Sequence, residues 1–217
     1  IHLDIVEPGR AEMIGWTRFL TDRRGQYRGA FVRGALEDLG PELREFPCGN
    51  PNRLQPFFRE LADHVADGMT ASGYIGPVGI DALIYRAADP LRLKPIVEIN
   101  PRFTMGRVAL EMERRVHPER TALWLTLSDR EIRSAGFPDI GSFASHFEDR
   151  YPPIREKEDA RLSTGVLFTT DPSTARAFAT VLLVGGSLEM CASYFQDFSG
   201  KLRETIGSIL CSPTAPL

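Results

Sequence analysis

Four polar residues carry the clearest chemistry in this chain: Asp81, and then Glu98, Asn100 and Arg102 at alternate positions. Asp81 sits in Gly79-Ile80-Asp81-Ala82-Leu83-Ile84-Tyr85, and the other three in Pro95-Ile96-Val97-Glu98-Ile99-Asn100-Pro101-Arg102. Both stretches are aliphatic and β-branched, which suits strands. The residues from Arg86 to Lys94 are polar and turn-forming around Asp89-Pro90, so the pair reads as an antiparallel hairpin with a long loop. Alternate residues of a strand share a face about 7 Å apart. Glu98, Asn100 and Arg102 therefore point one way, and Val97 and Ile99 the other way, into a core. Asp81 shares a face with Leu83 and Tyr85, and pairing can bring it opposite Glu98 and Asn100. Two carboxylates and a carboxamide are hard oxygen ligands that suit Mg²⁺, which is usually held by one or two carboxylates plus substrate phosphates. An arginine beside them would fix an anion or spread developing charge.

The same pattern also describes an ordinary solvated strand face. Against that, both strands are otherwise apolar, Pro95 and Pro101 bracket the second, and burying Glu, Asn and Arg is costly without partners. On the residues alone both readings stand.

The segments "GPVGIDALIY" and "PIVEINPRFTMG" resemble the last strands of the ATP-grasp ligases. The resemblance covers about the first 115 residues and implies that Asp81, Glu98 and Asn100 stand where that family holds its metal ions. It also implies that Arg102 faces the acyl-phosphate or carboxylate substrate. The first strand, ending in Val6-Glu7, is similar to the family's hinge, which makes Glu7 a candidate nucleotide contact; a glutamate at a strand end is the plainer reading.

Composition bounds the rest. The chain has 217 residues, a net charge of −3 and 42% hydrophobic residues, enough for a real core and without the basic footprint of a nucleic-acid binder. Cys48, Cys191 and Cys211 are widely spaced, and His2, His64, His117 and His146 show no ligand spacing. No apolar run has transmembrane length and no signal peptide is visible, so a cytoplasmic protein with no membrane partner is the expectation. The lysines are Lys94, Lys157 and Lys201. ATP-grasp enzymes hold phosphates with lysines of an earlier subdomain. The resemblance therefore implies that an N-terminal segment of the same protein is missing here, and that this chain alone binds ATP poorly.

Several elements must position the site. Residues 1–7 alternate as a strand and turn at Pro8-Gly9; Glu12 to Leu20 and Gln26 to Arg33 read as two more strands joined by Asp22-Arg23-Arg24-Gly25. Arg18 and Arg33 in these strands are candidates to face a carboxylate, or else a wet face. Gly40 to Arg53 reads as a loop. Leu54 to Ser72 is the clearest helix, with Leu54, Phe57, Phe58, Leu61, Val65 and Met69 on one face and Gly73 as its C-cap. Thr104 can cap a helix over Arg107 to Arg115, whose start can help to bind an anion. Further on, Thr121 to Leu127 and Leu162 to Thr169 read as strands and Asp129 to Ala135 and Ser142 to Arg150 as short helices. Ala179 to Val184 reads as strand or helix, Leu188 to Ile206 as a helix and the last residues as a frayed tail.

The expected fold is α/β (α+β): an antiparallel sheet flanked by helices over residues 1–117, forming the C-terminal lobe of an ATP-grasp domain by resemblance. A smaller α/β appendage follows over 118–217, with a linker near 151–160. The implied function is ATP-dependent joining of a small-molecule carboxylate to an amine through an acyl-phosphate, with ATP and Mg²⁺ (Mn²⁺ as the alternative) as cofactors. A non-catalytic nucleotide-binding or regulatory module and an interaction domain without ATP chemistry are the rival readings. A homo-oligomer is left open.

Overall fold

A computed structural model of the chain describes residues 1–22, 24–46, 51–86, 91–158 and 160–195, without the side chains of 51–55. The chain divides into two compact units that interleave in sequence. The first holds Ile1–Thr17 and Leu39–Leu110, and the second holds Arg18–Asp38 and the described chain from Glu111 to Phe195. Each contains one antiparallel sheet among the described residues.

In the first unit the strands β1 (His2–Glu7), β2 (Arg10–Gly15), β5 (Gly76–Arg86) and β6 (Leu91–Asn100) are ordered β2-β1-β5-β6. β1 and β2 join through Pro8 and Gly9; proline presets the first turn position, and Gly9 takes a φ of 72° at the second. Alternation then splits the sheet into two chemically different faces. Leu3, Ile5, Val78 and Ile80 point to one side and pack on Ala62, Val65 and Ala66 of helix α2 (Pro51–Ala71). Gly73, at φ 78°, ends that helix: its N–H bonds to Thr70 O at 2.9 Å and that of Tyr74 to Met69 O at 3.1 Å. The other side of the sheet carries His2, Asp4, Gly79, Asp81, Glu98 and Asn100, because these are cross-strand partners or alternate neighbours. Helix α3 (Met105–Glu113) begins just after β6.

The second unit has the sheet β3 (Phe19–Thr21), β4 (Tyr27–Arg33), β7 (Thr121–Ser128), β10 (Phe178–Gly185), β9 (Leu162–Phe168) and β8 (Ile154–Arg155), in that order. Leu123, Leu125 and Leu127 of β7 and Val181 and Leu183 of β10 build its core. They pack with Ile132 of α4 (Asp129–Ser134), Phe143 and Phe147 of α5 (Ile140–Arg150) and Leu188 and Cys191 of α6 (Leu188–Ser193). A capping box starts α4: Ser128 Oγ accepts from Glu131 N–H, and the Glu131 carboxylate accepts from Ser128 N–H at 2.9 Å.

Several expectations are corrected. Glu12 to Leu20 is not one strand: it breaks over 16–18, and its two halves join different sheets. Val97 does not enter a core and is 50% exposed. β6 is an edge strand, and its register with β5 shifts between Asp81 and Leu83. The core under α2 reaches Ile99 only at its margin. Phe57 is 40% exposed on the shoulder of α2. Within 40–53, expected to be loop, Pro41–Glu45 forms helix α1 and α2 begins at Pro51. α3 starts at Met105 and ends at Glu113, and the stretch expected as a linker near 151–160 contains β8. Ala179 to Val184 is strand. α6 ends at Ser193; the rest of the expected helix from 196 and the expected frayed tail lie outside the described residues, as does Asp89-Pro90.

Phe147 is fully buried and its ring stands 4.7 Å from that of Phe143 and 5.1 Å from that of Phe195. Phe147→Ala should cost about 3–5 kcal/mol, whereas Val97→Ala should change stability by less than about 0.5 kcal/mol. Urea unfolding followed by tryptophan fluorescence checks both; equal losses would contradict this packing.

Candidate functional site

The polar face of the first sheet brings three of the five expected site residues into two adjacent rows. Asp81 pairs directly with Glu98, and Gly79 with Asn100. Directly opposed residues of an antiparallel pair have Cα atoms about 4.5–5.5 Å apart and side chains on one face. The expected parity therefore holds: Asp81, Glu98 and Asn100 share a face. Asp81 is half-buried, Glu98 exposed and Asn100 buried.

Arg102 follows at once. Its Nη2 donates to Asn100 Oδ1 at 3.2 Å and its Nη1 to Phe103 O at 3.3 Å, and its backbone N–H donates to Asn100 O at 2.8 Å. The guanidinium thus binds the amide and the turn rather than either carboxylate. Burial pushes the Asp81 carboxyl above its ordinary range; Glu98 adds to that effect, while Arg102 opposes it. Like charges directly opposed across strands are destabilising, so two ionised carboxylates here would repel each other.

Glu7 is not brought to this place. It ends β1 opposite Arg10 and accepts from it at 2.9 Å on an exposed surface. Gly79 pairs with His2 at the start of β1, so Glu7 stands about 20 Å along the strand from the acidic pair. Arg18 and Arg33 belong to the second unit. Arg18 forms an ion pair with Asp38, its Nη2 lying 3.1 Å from Asp38 Oδ2, and Arg33 forms one with Glu113 at 3.3 Å.

Further neighbours complete the face, among them Thr104 in the capping role expected of it. His2 is 6% exposed; its Nε2 lies 3.0 Å from Thr17 Oγ1 and its Nδ1 3.2 Å from Thr104 Oγ1. Burial, with Arg107 adding to it, holds its pKa down at about 3, so the ring is neutral. Arg107 grips Asp4 with two bonds, at 3.0 and 3.1 Å. Thr104 caps α3, its Oγ1 accepting from Arg107 N–H at 3.4 Å. The alternation His2-Leu3-Asp4-Ile5 signals a polar face, but Thr104 and Arg107 lie about a hundred residues away in sequence.

Two carboxylates and one amide oxygen fit Mg²⁺, which takes its remaining ligands from water and phosphate oxygens. Among the described residues, no group of three or more His, Cys, Asp and Glu side chains gathers to hold a metal ion. The third oxygen at this site would be that of Asn100, which Arg102 already binds. Among the described residues no helix is long and apolar enough to cross a membrane.

Compared with protein-family models, curated proteins and solved structures, the chain matches none.

Asp81 and His2, on this face, act on stability in opposite directions. Asp81 has its folded pKa raised above 3.8. Its contribution is present below that value and lost as pH rises through the raised one. His2 is neutral in the fold, while the unfolded chain takes up a proton below about 6.5. Its contribution is present above 6.5 and lost as pH falls toward 3, by about 1.4 kcal/mol per pH unit. In metal-free urea titrations, Asp81→Asn should gain about 0.2–1 kcal/mol at pH 7 and nothing at pH 3.5. His2→Gln should flatten the acid slope between pH 6 and 4. A pH-independent effect of either variant would contradict this electrostatic account.

Proposed function

We propose that this chain carries the metal- and phosphate-handling part of an ATP-dependent ligase that joins a carboxylate to an amine, of the ATP-grasp kind. The observation that supports the reading is the placement of Asp81 directly opposite Glu98, with Asn100 in the next row and Arg102 bonded to it. Asp81, Glu98 and the Asn100 oxygen would hold Mg²⁺, which neutralises nucleotide phosphates when bound. Holding two like charges together in advance gives a cation the full benefit of both. Asn100 sets the guanidinium of Arg102 at the rim of the pair, where it would bind the oxygens of an acyl-phosphate and stabilise the charge that builds there. The carboxylate oxygen attacks the terminal phosphorus of ATP and ADP leaves; the amine then attacks the acyl carbon and phosphate leaves.

The test is isothermal titration of the full-length protein with Mg·ATP, together with phosphate release in the presence of carboxylates and amines. Binding with release supports the ligase, and Glu98→Gln should then slow turnover by about a hundredfold, the scale of losing one charge-stabilising group, while leaving stability intact. Binding without release would make the chain a regulatory nucleotide-binding module. No binding would make it an interaction domain.

A further inference from the structure

The turn that carries Arg102 is held from outside, by residues that never reach the acidic pair. The sheet register places His2, Gly79 and Asn100 in one row across β1, β5 and β6. Thr104 lies on that row. A Cβ added at Gly79 would come within 2.5 Å of Thr104 Cγ2, so the bare glycine is what lets the threonine settle there. The first turn of α3 presses on the same spot: a Cβ at Gly106 would stand 2.7 Å from the His2 ring and 2.6 Å from Thr17 Oγ1. Capping α3 needs only the bond from Arg107 N–H. The further bond from Thr104 to His2, and from His2 to Thr17, forms a chain across three separate segments that capping does not require.

Between Asn100 and Thr104 only Pro101, Arg102 and Phe103 remain. Asn100 fixes the start of this turn through the Arg102 N–H and guanidinium. Thr104 fixes its end. Asp81 and Glu98 are held separately, by the β5–β6 pairing.

We propose that Thr104, anchored by His2 on the bare row at Gly79, is a positioning residue for Arg102. The chain Thr17–His2–Thr104 then sets where an anion is captured, while Asp81 and Glu98, fixed by the β5–β6 register, keep their hold on a cation. The proposal rests on the reading of that pair as a cation site.

The experiment separates the two captures. The full chain is titrated with Mn²⁺ alone, followed by electron paramagnetic resonance, and then with inorganic tripolyphosphate at saturating Mn²⁺. Thr104→Val should keep the Mn²⁺ affinity within about twofold and weaken tripolyphosphate by about tenfold, as should Arg102→Ala; that is the scale of one misplaced charge-assisted hydrogen bond. Thr104→Ser keeps the hydroxyl and should bind as the wild type. Gly79→Ala leaves every bonding group in place, displaces Thr104 and should give the same split, so it serves if Thr104→Val does not fold. If the wild type binds no Mn²⁺, the cation-site reading fails and the positioning role falls with it. If the wild type binds both probes and these variants bind tripolyphosphate equally well, or lose both probes together, the positioning role alone is overturned.

Discussion

Like charges held directly opposite each other on neighbouring strands repel, and Asp81 and Glu98 are held in that way by the register of β5 and β6. The organisation of the first unit follows from how that repulsion is borne. The pairing is fixed from the far face, where Leu3, Ile5, Val78 and Ile80 lock the sheet onto α2. A one-residue slip would turn those side chains to solvent. The acidic pair is therefore stabilised by apolar burial on the opposite side of the same strands. On its own side, burial and Glu98 raise the Asp81 pKa while the positive potential of Arg102 opposes them.

The second unit uses its charges differently. Arg18 is held by Asp38, Arg28 lies 2.6 Å from Glu131, and Arg33 pairs with Glu113. Glu131 also closes the capping box of α4. These are partnered groups in structural roles, and burial pushes the Cys191 thiol up to about 12, which keeps it inert. In the first unit Arg107 and Asp4 are partnered in the same way. The acidic pair is different, because the nearby guanidinium is committed to Asn100 instead.

The hairpin was legible because its two strands carry their own period and its polar residues fall on one parity. α2, β7, α4 and α5 were legible for the same reason: each has an unbroken pattern and a clear stop, such as Gly73. What was not legible depended on partners far away in sequence. Nothing in Glu12 to Leu20 says that its halves belong to different sheets. Val97 and Ile99 have the same local signature, and only the edge position of β6 separates them. His2 looks like one scattered histidine until Thr17 and Thr104 close on its two ring nitrogens. Gly79 and Gly106 look like ordinary strand and helix glycines until the side chains above them are known.

The account stands or falls on the acidic pair being a cation site. The most direct measurement is the anomalous scattering of Mn²⁺ in crystals of the protein grown with that ion. The account predicts a peak on the polar face of the β5–β6 hairpin, with oxygens of Asp81, Glu98 and Asn100 about 2.1–2.2 Å away, and no such peak in Asp81→Asn crystals. A manganese ion bound elsewhere, or a hairpin left empty at saturating Mn²⁺, would contradict it.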